Sequence, residues 1–395
     1  MLNKAVIYLD HAATTGILPE VVDAMIPYLQ NKYANPSSVY GIARENRAVI
    51  NNCRKKLAES IGANENEIYF TSGGSESDNW AIKGVAEMYG RRSGHIITSK
   101  IEHPAVLKTC RFLEDKGIDV TYLSVDENGL IKLRELEKAI RPDTFLISVM
   151  YANNEIGTIE PIREIGGIAH SNNILFHTDA VQAYGHVPID VSDCNIDLLS
   201  ASGHKINGPK GIGFLYVREG VNIGRLIHGG GQERGIRAGT ENVPAIAGLS
   251  KACEISVKTM KTRATKEIFL RDHLIDRILY EVPYTRLNGH RINRLPNNVN
   301  ISFQFLQGES LLVLLDMYGI CASAGSACSA GLQKPSHVLM ALGLPVEIAN
   351  GSIRMTLGLD NTMEEIDYVA DKIKLFAQNL RELSPQYEDY RNKRV

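Results

Sequence analysis

The chain has 395 residues, of which 44% are hydrophobic and 22% are charged, and its formal net charge is −2. This length and composition predict a globular protein with two domains, or with one large domain and a smaller companion. The charge balance argues against the basic surface typical of nucleic-acid-binding proteins, no apolar run approaches the roughly 20 residues of a membrane helix, and no secretory signal is evident, so we predict a cytoplasmic protein.

Short apolar strands alternate with amphipathic helices along the first half of the chain. The predicted strands are 67–71, 95–99, 119–125, 145–151, 174–178, 197–201 and 213–217, and the predicted helices include 76–89, 104–116, 133–140 and 162–170. Leu133, Leu136 and Ile140 show the helical pattern, because their spacing of three and then four residues forms one apolar face. This alternation predicts an α/β fold with a mainly parallel seven-stranded sheet between helices, which binds ligands beyond the carboxyl ends of its strands.

The alternation stops after Gly248. The predicted elements that follow are a long helix at 249–282, a strand at 298–305, a helix at 309–318, a strand at 352–357 and a helix at 363–383. Because strands and helices no longer alternate one for one, this part of the chain predicts a smaller α+β domain.

Segment 202–211, SGHKINGPKG, places Lys205 at the end of the apolar strand 197–201. A lysine amine forms a Schiff base with a carbonyl cofactor, so Lys205 is a candidate anchor for pyridoxal phosphate. A solvated turn is the alternative, since glycine-rich strand exits are commonly turns.

Three more segments place polar groups at strand ends or helix starts. Segment 71–79, TSGGSESDN, opens a helix after a strand, which suits either a bound phosphate or an ordinary helix cap. Asp179 follows strand 174–178, where it would pair with a protonated pyridine nitrogen or cap the next turn. His103 directly precedes a helix, where it would stack on an aromatic cofactor and transfer protons, or serve only as a cap.

Two features of the C-terminal half also suit a site. Arg354 lies in the alternating strand 352–357, where its planar guanidinium would bind a carboxylate or simply face solvent. The glycine-rich segment 228–240 must be a loop, and it would form a lid, an interface, a phosphate contact or a plain connection.

The six cysteines form no C-x-x-C pair, so we predict neither a zinc site nor a thioredoxin motif, and no metal site of another kind. Cys53 and Cys110 lie on helical apolar stripes and are predicted to pack in the core. Cys328 lies in a run of small residues and is predicted to be exposed, as a reactive thiol or as an ordinary loop cysteine. Cys321 is interpreted as packing beside Ile320 at the start of a strand.

In this order, the segments resemble those of NifS/IscS-type cysteine desulfurases, a branch of the class V aminotransferase group with the fold-type I architecture of pyridoxal-phosphate transferases. The resemblance extends from residue 8 to residue 385. The matching motifs are YLDHAATT (8–15), NPSS (35–38), TSGGSESDN (71–79), NNEIG (153–157), HTDAVQ (177–182), SGHKINGPKG (202–211), RAGT (237–240) and GSAC (325–328). It implies a large cofactor-binding domain at 16–260, and a small domain made of 1–15 and 261–395 that carries the cysteine loop.

The resemblance implies how pyridoxal phosphate would be held. Lys205 would anchor it covalently and later shuttle a proton, Asp179 would pair with its ring nitrogen, and His103 would stack on the ring and act as acid and base. Contacts near the ring's phenolic oxygen would come from Asn154 and Gln182. Its phosphate would contact Gly74, Ser75, Ser202, His204 and, from the partner subunit of a homodimer, Thr240.

The resemblance also implies the substrate and the reaction. Arg354, helped by Asn35, would hold the carboxylate of L-cysteine, and Cys328 would take its sulfur as a persulfide while L-alanine is released. The sulfur would pass to an iron–sulfur scaffold or another acceptor protein. Some family members use a longer C-terminal tail for scaffold docking, and this chain ends at Val395, so the resemblance leaves the acceptor open. This chain also differs from the family pattern at Asn207, where the family often has an aromatic residue.

Other activities remain compatible with the same residues. A selenocysteine lyase or an aminotransferase of this fold would use the same cofactor, although transamination needs no thiol such as that of Cys328. An inactive homologue that scaffolds a sulfur-transfer assembly is a third possibility, against which the intact Lys205, Asp179 and His103 argue.

Overall fold

A computed structural model describes residues 6–90, 94–324 and 335–392. In chain order, the described strands are β1 (Ile7–Tyr8), β2 (Ile68–Thr71), β3 (His95–Ser99), β4 (Asp119–Leu123), β5 (Thr144–Ser148), β6 (Leu175–Asp179), β7 (Leu198–Ser202), β8 (Gly213–Val217), β9 (Thr285–Leu287), β10 (Asn298–Phe303), β11 (Ile320–Cys321) and β12 (Ser352–Thr356). The described helices are α1 (Pro19–Gln30), α2 (Gly41–Glu59), α3 (Gly74–Tyr89), α4 (Pro104–Glu114), α5 (Leu133–Ala139), α6 (Ile162–Ser171), α7 (Val243–Glu281), α8 (Gly308–Met317), α9 (His337–Ala341), α10 (Val346–Asn350), α11 (Met363–Glu382) and α12 (Pro385–Asn392).

The large sheet has seven strands in the order β2-β8-β7-β6-β5-β3-β4. Strand β8 runs antiparallel to its neighbours β2 and β7, and the remaining neighbours pair in parallel. The predicted mainly parallel seven-stranded sheet is therefore confirmed.

Both faces of this sheet are covered by apolar cores. Ile97 and Leu199 belong to one core, whereas their immediate neighbours Ile96 and Leu198 belong to another. Because successive side chains of a strand point to opposite faces, these pairs place a core on each side of the sheet. Burial on both faces explains why the central strands are nearly continuous apolar runs instead of alternating ones.

The C-terminal part of the chain builds a third core. Strands β9, β10 and β12 form an antiparallel sheet, and β11 pairs in parallel with β1 near the N-terminus. Ile7 and Leu9 lie in the same core as Leu274 and Val299. Helix α7 passes the predicted domain boundary at residue 260 without a break, so the division into 16–260 and 1–15 with 261–395 stays a prediction.

Helix α7 starts earlier than predicted. It begins at Val243, not at 249, because the Asn242 side chain accepts a hydrogen bond from the Ala245 N–H and a proline lies in the first turn. Gly248 lies inside the helix and is packed against Met25, which its lack of a side chain permits. None of the helices in the described ranges combines the length and apolar character needed to cross a bilayer.

Candidate active site

The carboxyl ends of the parallel strands open into a cavity of about 770 Å³. Residues far apart in the sequence meet there because parallel strands end at one edge of the sheet. The predicted site residues in its lining are Gly74, Ser75, His103, Asn154, Asp179, Gln182, Ser202, His204, Lys205 and Arg354.

Lys205 lies at the mouth of β7, in a short 3₁₀ turn formed by Gly203–Lys205. The Lys205 Nζ donates to the carbonyl oxygens of Ala12 (2.5 Å) and Ala13 (2.7 Å). Backbone bonds fix the turn, since the Gly203 N–H donates to Ile212 O and the Gly208 N–H to Gly203 O. Lys205 is thus held at the cavity instead of extending into solvent from a mobile turn.

Asp179 is the last residue of β6 and is only 6% exposed. The N–H of Val181 donates to its Oδ1 at 2.9 Å, so the side chain does cap the turn that follows. Burial raises the pKa of the Asp179 carboxyl, while the charges of His103 and Lys205 and the Val181 N–H act in the opposite direction. The same carboxyl therefore caps a turn and faces the cavity.

The start of helix α3 has no side-chain cap. Its N-cap residue is Gly73, whose φ of +146° is a conformation that favours glycine and which has no side chain that could cap the helix. The carboxylate of Glu76 turns away to accept from the Ser72 N–H (2.7 Å) and to pair with Arg237 (2.8 Å). The first N–H groups of α3 are thus available for an anion, as helix starts commonly are.

A second cavity of about 380 Å³ lies at this helix start. Gly74, Ser75, Ser202 and His204 line both this cavity and the larger one. Burial and the charge of Lys205 lower the pKa of His204 to about 4, so its imidazole is neutral near pH 7.

His103 caps helix α4 and also lines the large cavity. Its Nδ1 accepts a hydrogen bond from the Ala105 N–H at 3.1 Å, so the neutral ring carries its hydrogen on Nε2. Burial lowers the pKa of the imidazole below its usual value; Asp179 opposes this effect, and Lys205 and His337 add to it. Both roles considered for His103, as a cap and as a cavity residue, are thus compatible.

Arg354 lies in β12 and is buried, with 3% exposure, so the expectation of a solvent-facing side chain is wrong. Its guanidinium donates to Asp10 Oδ1 (2.8 Å) and to the carbonyl oxygen of Asn154 (3.1 Å). Its Nε has no hydrogen-bond partner within the part of the chain that the structure describes. A buried donor left unpartnered suits a guanidinium that binds an anionic ligand.

Gln182 joins the cavity to the N-terminal segment, since its Nε2 donates to Ala12 O at 2.9 Å. The carbonyl oxygen of Ala12 thus accepts from both Gln182 and Lys205. This convergence explains why the YLDHAATT segment belongs to the site although it lies far from the sheet in sequence.

Two predicted site residues lie elsewhere. Asn35 and Thr240 are exposed and are not part of either cavity's lining. The Asn35 Oδ1 accepts from the Ser37 N–H at 2.9 Å. Cys328, the predicted sulfur acceptor, lies outside the described residues.

The loop 228–240 is tied to helices α2 and α3 by ion pairs. Glu233 is buried and forms two hydrogen bonds of 2.8 Å with Arg54, and it accepts another from the Phe70 N–H at 2.9 Å. Arg237 pairs with Glu76 of helix α3. This anchoring argues against a loosely held lid and fixes where the loop presents Thr240.

The cysteines in the described part of the chain are buried or half-buried. Cys53 and Cys110 are buried in apolar cores, as predicted. Cys321 is half-buried in the two-residue strand β11, and the third core includes Ile320 but not Cys321, so its interpretation as a packing residue stays a prediction.

Asp78, Glu155 and His337 are among the cavity residues that the sequence did not single out. Asp78 and Glu155 are buried acids, and the Nε2 of His337 donates to the carbonyl oxygen of Glu102 at 2.9 Å. Asp78 could have been found, because it shares an otherwise apolar face of α3 with Ala81 and Ile82.

The residues present fit pyridoxal phosphate. The cavity holds an amine that forms Schiff bases, a buried carboxyl suited to a ring nitrogen and an uncapped helix start suited to a phosphate. Gly74 packs closely against Val181 at the edge of this site, since a Cβ there would lie 2.5 Å from Val181 Cγ2.

Comparisons with known proteins agree with this site. The family model for class-V aminotransferases matches residues 7–369. The chain is 56% identical to the cysteine desulfurase IscS of Methanosarcina thermophila over 383 residues, which cover 97% of this chain and 94% of that relative. It is 50% identical to the cysteine desulfurase IscS of Dictyoglomus turgidum, with 98% of each chain covered.

Two solved structures are similar over most of the chain. A NifS-like protein has a TM-score of 0.90 at 41% identity, and the match covers 95% of this chain and 100% of that one. SspA in complex with cysteine has a TM-score of 0.80 at 41% identity, covering 89% of this chain and 98% of that one. The chain therefore belongs to the class-V aminotransferases and, within them, to the IscS-type cysteine desulfurases, which are pyridoxal-phosphate enzymes.

Proposed function

We propose that the chain converts L-cysteine to L-alanine and collects the sulfur as a persulfide on Cys328. The observation that carries this proposal is the convergence of Lys205, Asp179, His103 and Arg354 on one cavity. The relative SspA, whose structure was solved with cysteine, supports the choice of substrate.

The reaction balances without an external oxidant or reductant. L-Cysteine and the Cys328 thiol become L-alanine and a Cys328 persulfide. The carbon–sulfur bond of the substrate breaks, a sulfur–sulfur bond forms, and a proton replaces the sulfur on the β carbon. When bound, pyridoxal phosphate supplies an electron sink for negative charge that develops on the substrate.

The protein's own side chains would orient the cofactor. Lys205 would anchor it, and Asp179 would pair with its ring nitrogen. Asn154 and Gln182 would contact its phenolic oxygen. The phosphate would lie at the start of helix α3, with contacts to Gly74, Ser75, Ser202 and His204.

Two groups would handle protons at this site. The Lys205 amine would shuttle a proton once the substrate has replaced it, and His103 would stack on the ring and exchange protons with the substrate. The lowered pKa of His103 supports this role, because a neutral imidazole is ready to take up a proton near pH 7.

Arg354 would bind the substrate carboxylate, helped by Asn35. The support is electrostatic: its guanidinium is buried, and its Nε lacks a partner among the described residues. The Asp10 carboxylate already neutralises part of its charge, so a substrate carboxylate would complete the pairing, not replace it.

The enzyme would act as a homodimer in which Thr240 completes the phosphate site of the partner subunit. In support, Thr240 is exposed on an anchored loop, and helix α1 carries an exposed apolar stripe of Val22, Ile26 and Leu29. We also propose a cytosolic location, where thiols stay reduced, and delivery of sulfur to an iron–sulfur scaffold or another acceptor protein.

The decisive experiment compares cysteine turnover by the wild type, Cys328→Ala and Cys321→Ala. We expect the wild type and Cys321→Ala to release alanine and, with a reductant, sulfide. Cys328→Ala should lose at least about a hundredfold in turnover, because the sulfur has no nucleophile to accept it. Equal turnover by Cys328→Ala and the wild type would exclude the persulfide mechanism.

A further inference from the structure

Asp78 is a buried acid that the proposed reaction does not use. It lies in α3 with 1% exposure and lines the large cavity. One of its carboxyl oxygens, one oxygen of Asp179 and one ring nitrogen of His103 lie within 4.8 Å of one another. Two acids thus lie side by side, although the proposed pairing with a ring nitrogen uses only one negative charge.

The groups around Asp78 come from several elements. Glu102 and His103 precede α4, His177 and Asp179 lie in β6, and Ser200 lies in β7. The Asp78 Oδ1 is 3.8 Å from His177 Nε2 and has no hydrogen-bond partner among the described residues. Burial lowers the pKa of His177 to about 3, so this imidazole is neutral and provides no counter-charge.

The surroundings decide which of the two acids carries the charge. Asp179 accepts from the Val181 N–H, and the positive charge of Lys205 favours its ionised form. Asp78 has the hydroxyl of Ser200 and the neutral His177 beside it, and the nearby acids Asp179 and Glu102 disfavour its ionised form. Because two adjacent buried carboxyls cannot both ionise at ordinary cost, the proton belongs on Asp78.

We propose that Asp78 is a positioning residue that retains its proton and thereby leaves the single negative charge of the pair on Asp179. This inference rests on the proposed pairing of Asp179 with the cofactor's ring nitrogen. Burial and the nearby Asp179 both raise the pKa of the Asp78 carboxyl well above its usual range. The fold thus places a neutral acid behind the charged one.

The first test follows unfolding of the cofactor-free, full-length protein between pH 5 and pH 8. When a group is protonated in the folded state and ionised in the unfolded state, a rise in pH shifts the equilibrium toward the unfolded state by up to about tenfold per pH unit. Its stabilising effect is complete below the unfolded pKa and is lost as pH rises toward the folded pKa. The slope to be measured is the rise of the unfolding equilibrium constant with pH. In Asp78→Asn this rise should be smaller than in the wild type, by up to about tenfold per pH unit.

Asp115→Asn, which changes an exposed aspartate, should keep the wild-type slope. If Asp78→Asn does not fold, Asp78→Ala removes the same titration and should show the same reduction. A wild-type slope in the Asp78 variants would overturn the proposal.

The second test measures the affinity for pyridoxal phosphate. Asparagine mimics a protonated aspartate, so we expect Asp78→Asn to bind the cofactor about tenfold more tightly than Asp78→Ala. Equal affinities of the two variants would show that a neutral polar group at this position does not support cofactor binding, and would also overturn the proposal. An unchanged affinity in Asp179→Asn would instead contradict the proposed role of Asp179, which separates the two failures.

Discussion

His103 shows how the fold sets the charge of one side chain. Burial has the largest effect on its pKa and lowers it, and the positive charge of Lys205 lowers it further. Protonation would also cost the bond in which Nδ1 accepts from the Ala105 N–H. The neutral ring is therefore the form that the enzyme holds near pH 7.

We predict that the pH profile of kcat/KM has an acid limb below pH 6.5. The sign follows from the lowered pKa: activity is kept above it, and is lost as pH falls through it because the imidazolium forms. His103→Gln should lower kcat by about 10²- to 10⁴-fold and remove this limb. The control is His170→Gln at an exposed position, which should keep the wild-type kcat and the acid limb. An acid limb that persists in His103→Gln would assign it to another group.

Individual candidate site residues could be predicted because the ends of strands are visible in the sequence. Asp179 and Lys205 each follow an apolar run, and parallel strands end together. The burial of Arg354 could not be predicted, because alternation shows which residues share a face but not which face another element covers. The pairing of Asp78 with Asp179 depends on contacts between a helix and a distant strand, which one sequence does not reveal.

Helix α3 and strand β6 together form the proposed phosphate and ring sites. A Cβ at Gly74 would lie 2.5 Å from Val181 Cγ2, well inside normal contact. Glycine is therefore required here by the close approach of α3 to the turn that follows β6, and not by helix geometry alone.

We predict that Gly74→Ala weakens both cofactor binding and the fold. Overpacking of this kind costs about 1–3 kcal/mol, which corresponds to a loss of affinity of about 5- to 150-fold. The measurements are the Kd for pyridoxal phosphate by absorbance and the free energy of unfolding.

The matched control is Gly167→Ala in helix α6, where an added Cβ has open space. It should stabilise the fold by about 0.5–1 kcal/mol, because alanine is the better helix former, and leave the Kd unchanged. Wild-type affinity in Gly74→Ala would show that the α3 start does not bind the cofactor.

The elements of the sheet were predictable because buried parallel strands are long apolar runs. Strand β9 and the pairing of β1 with β11 were missed, since elements of two or three residues carry no periodicity. They form only because distant parts of the chain supply their partners.

At the scale of the whole molecule, the cavity of one chain lacks a residue that the resemblance assigns to it. Thr240 is exposed and outside the cavity's lining, on a loop fixed by the buried Arg54–Glu233 pair. Such a loop suits a contact made across a subunit interface. A site shared by two chains has a consequence that single-chain variants cannot test.

We predict that mixing two defective chains restores activity. In a heterodimer of Lys205→Ala and Thr240→Ala chains, a shared site would leave one cavity with both changes and the other with neither. The unchanged cavity should work normally and the doubly changed one should be inactive. If the two sites act independently, turnover should therefore reach about half of the wild-type value.

The homodimers of each variant, prepared in the same way, provide the baselines. Lys205→Ala should be inactive, and Thr240→Ala should be weakened by the loss of a charge-assisted hydrogen bond to phosphate, which is typically worth about 1.5–3 kcal/mol. If Thr240 served its own chain, the heterodimer would hold one inactive and one weakened site, and its turnover would not exceed half of that of the Thr240→Ala homodimer. Purified heterodimers carrying two different affinity tags make the two outcomes distinguishable by turnover alone.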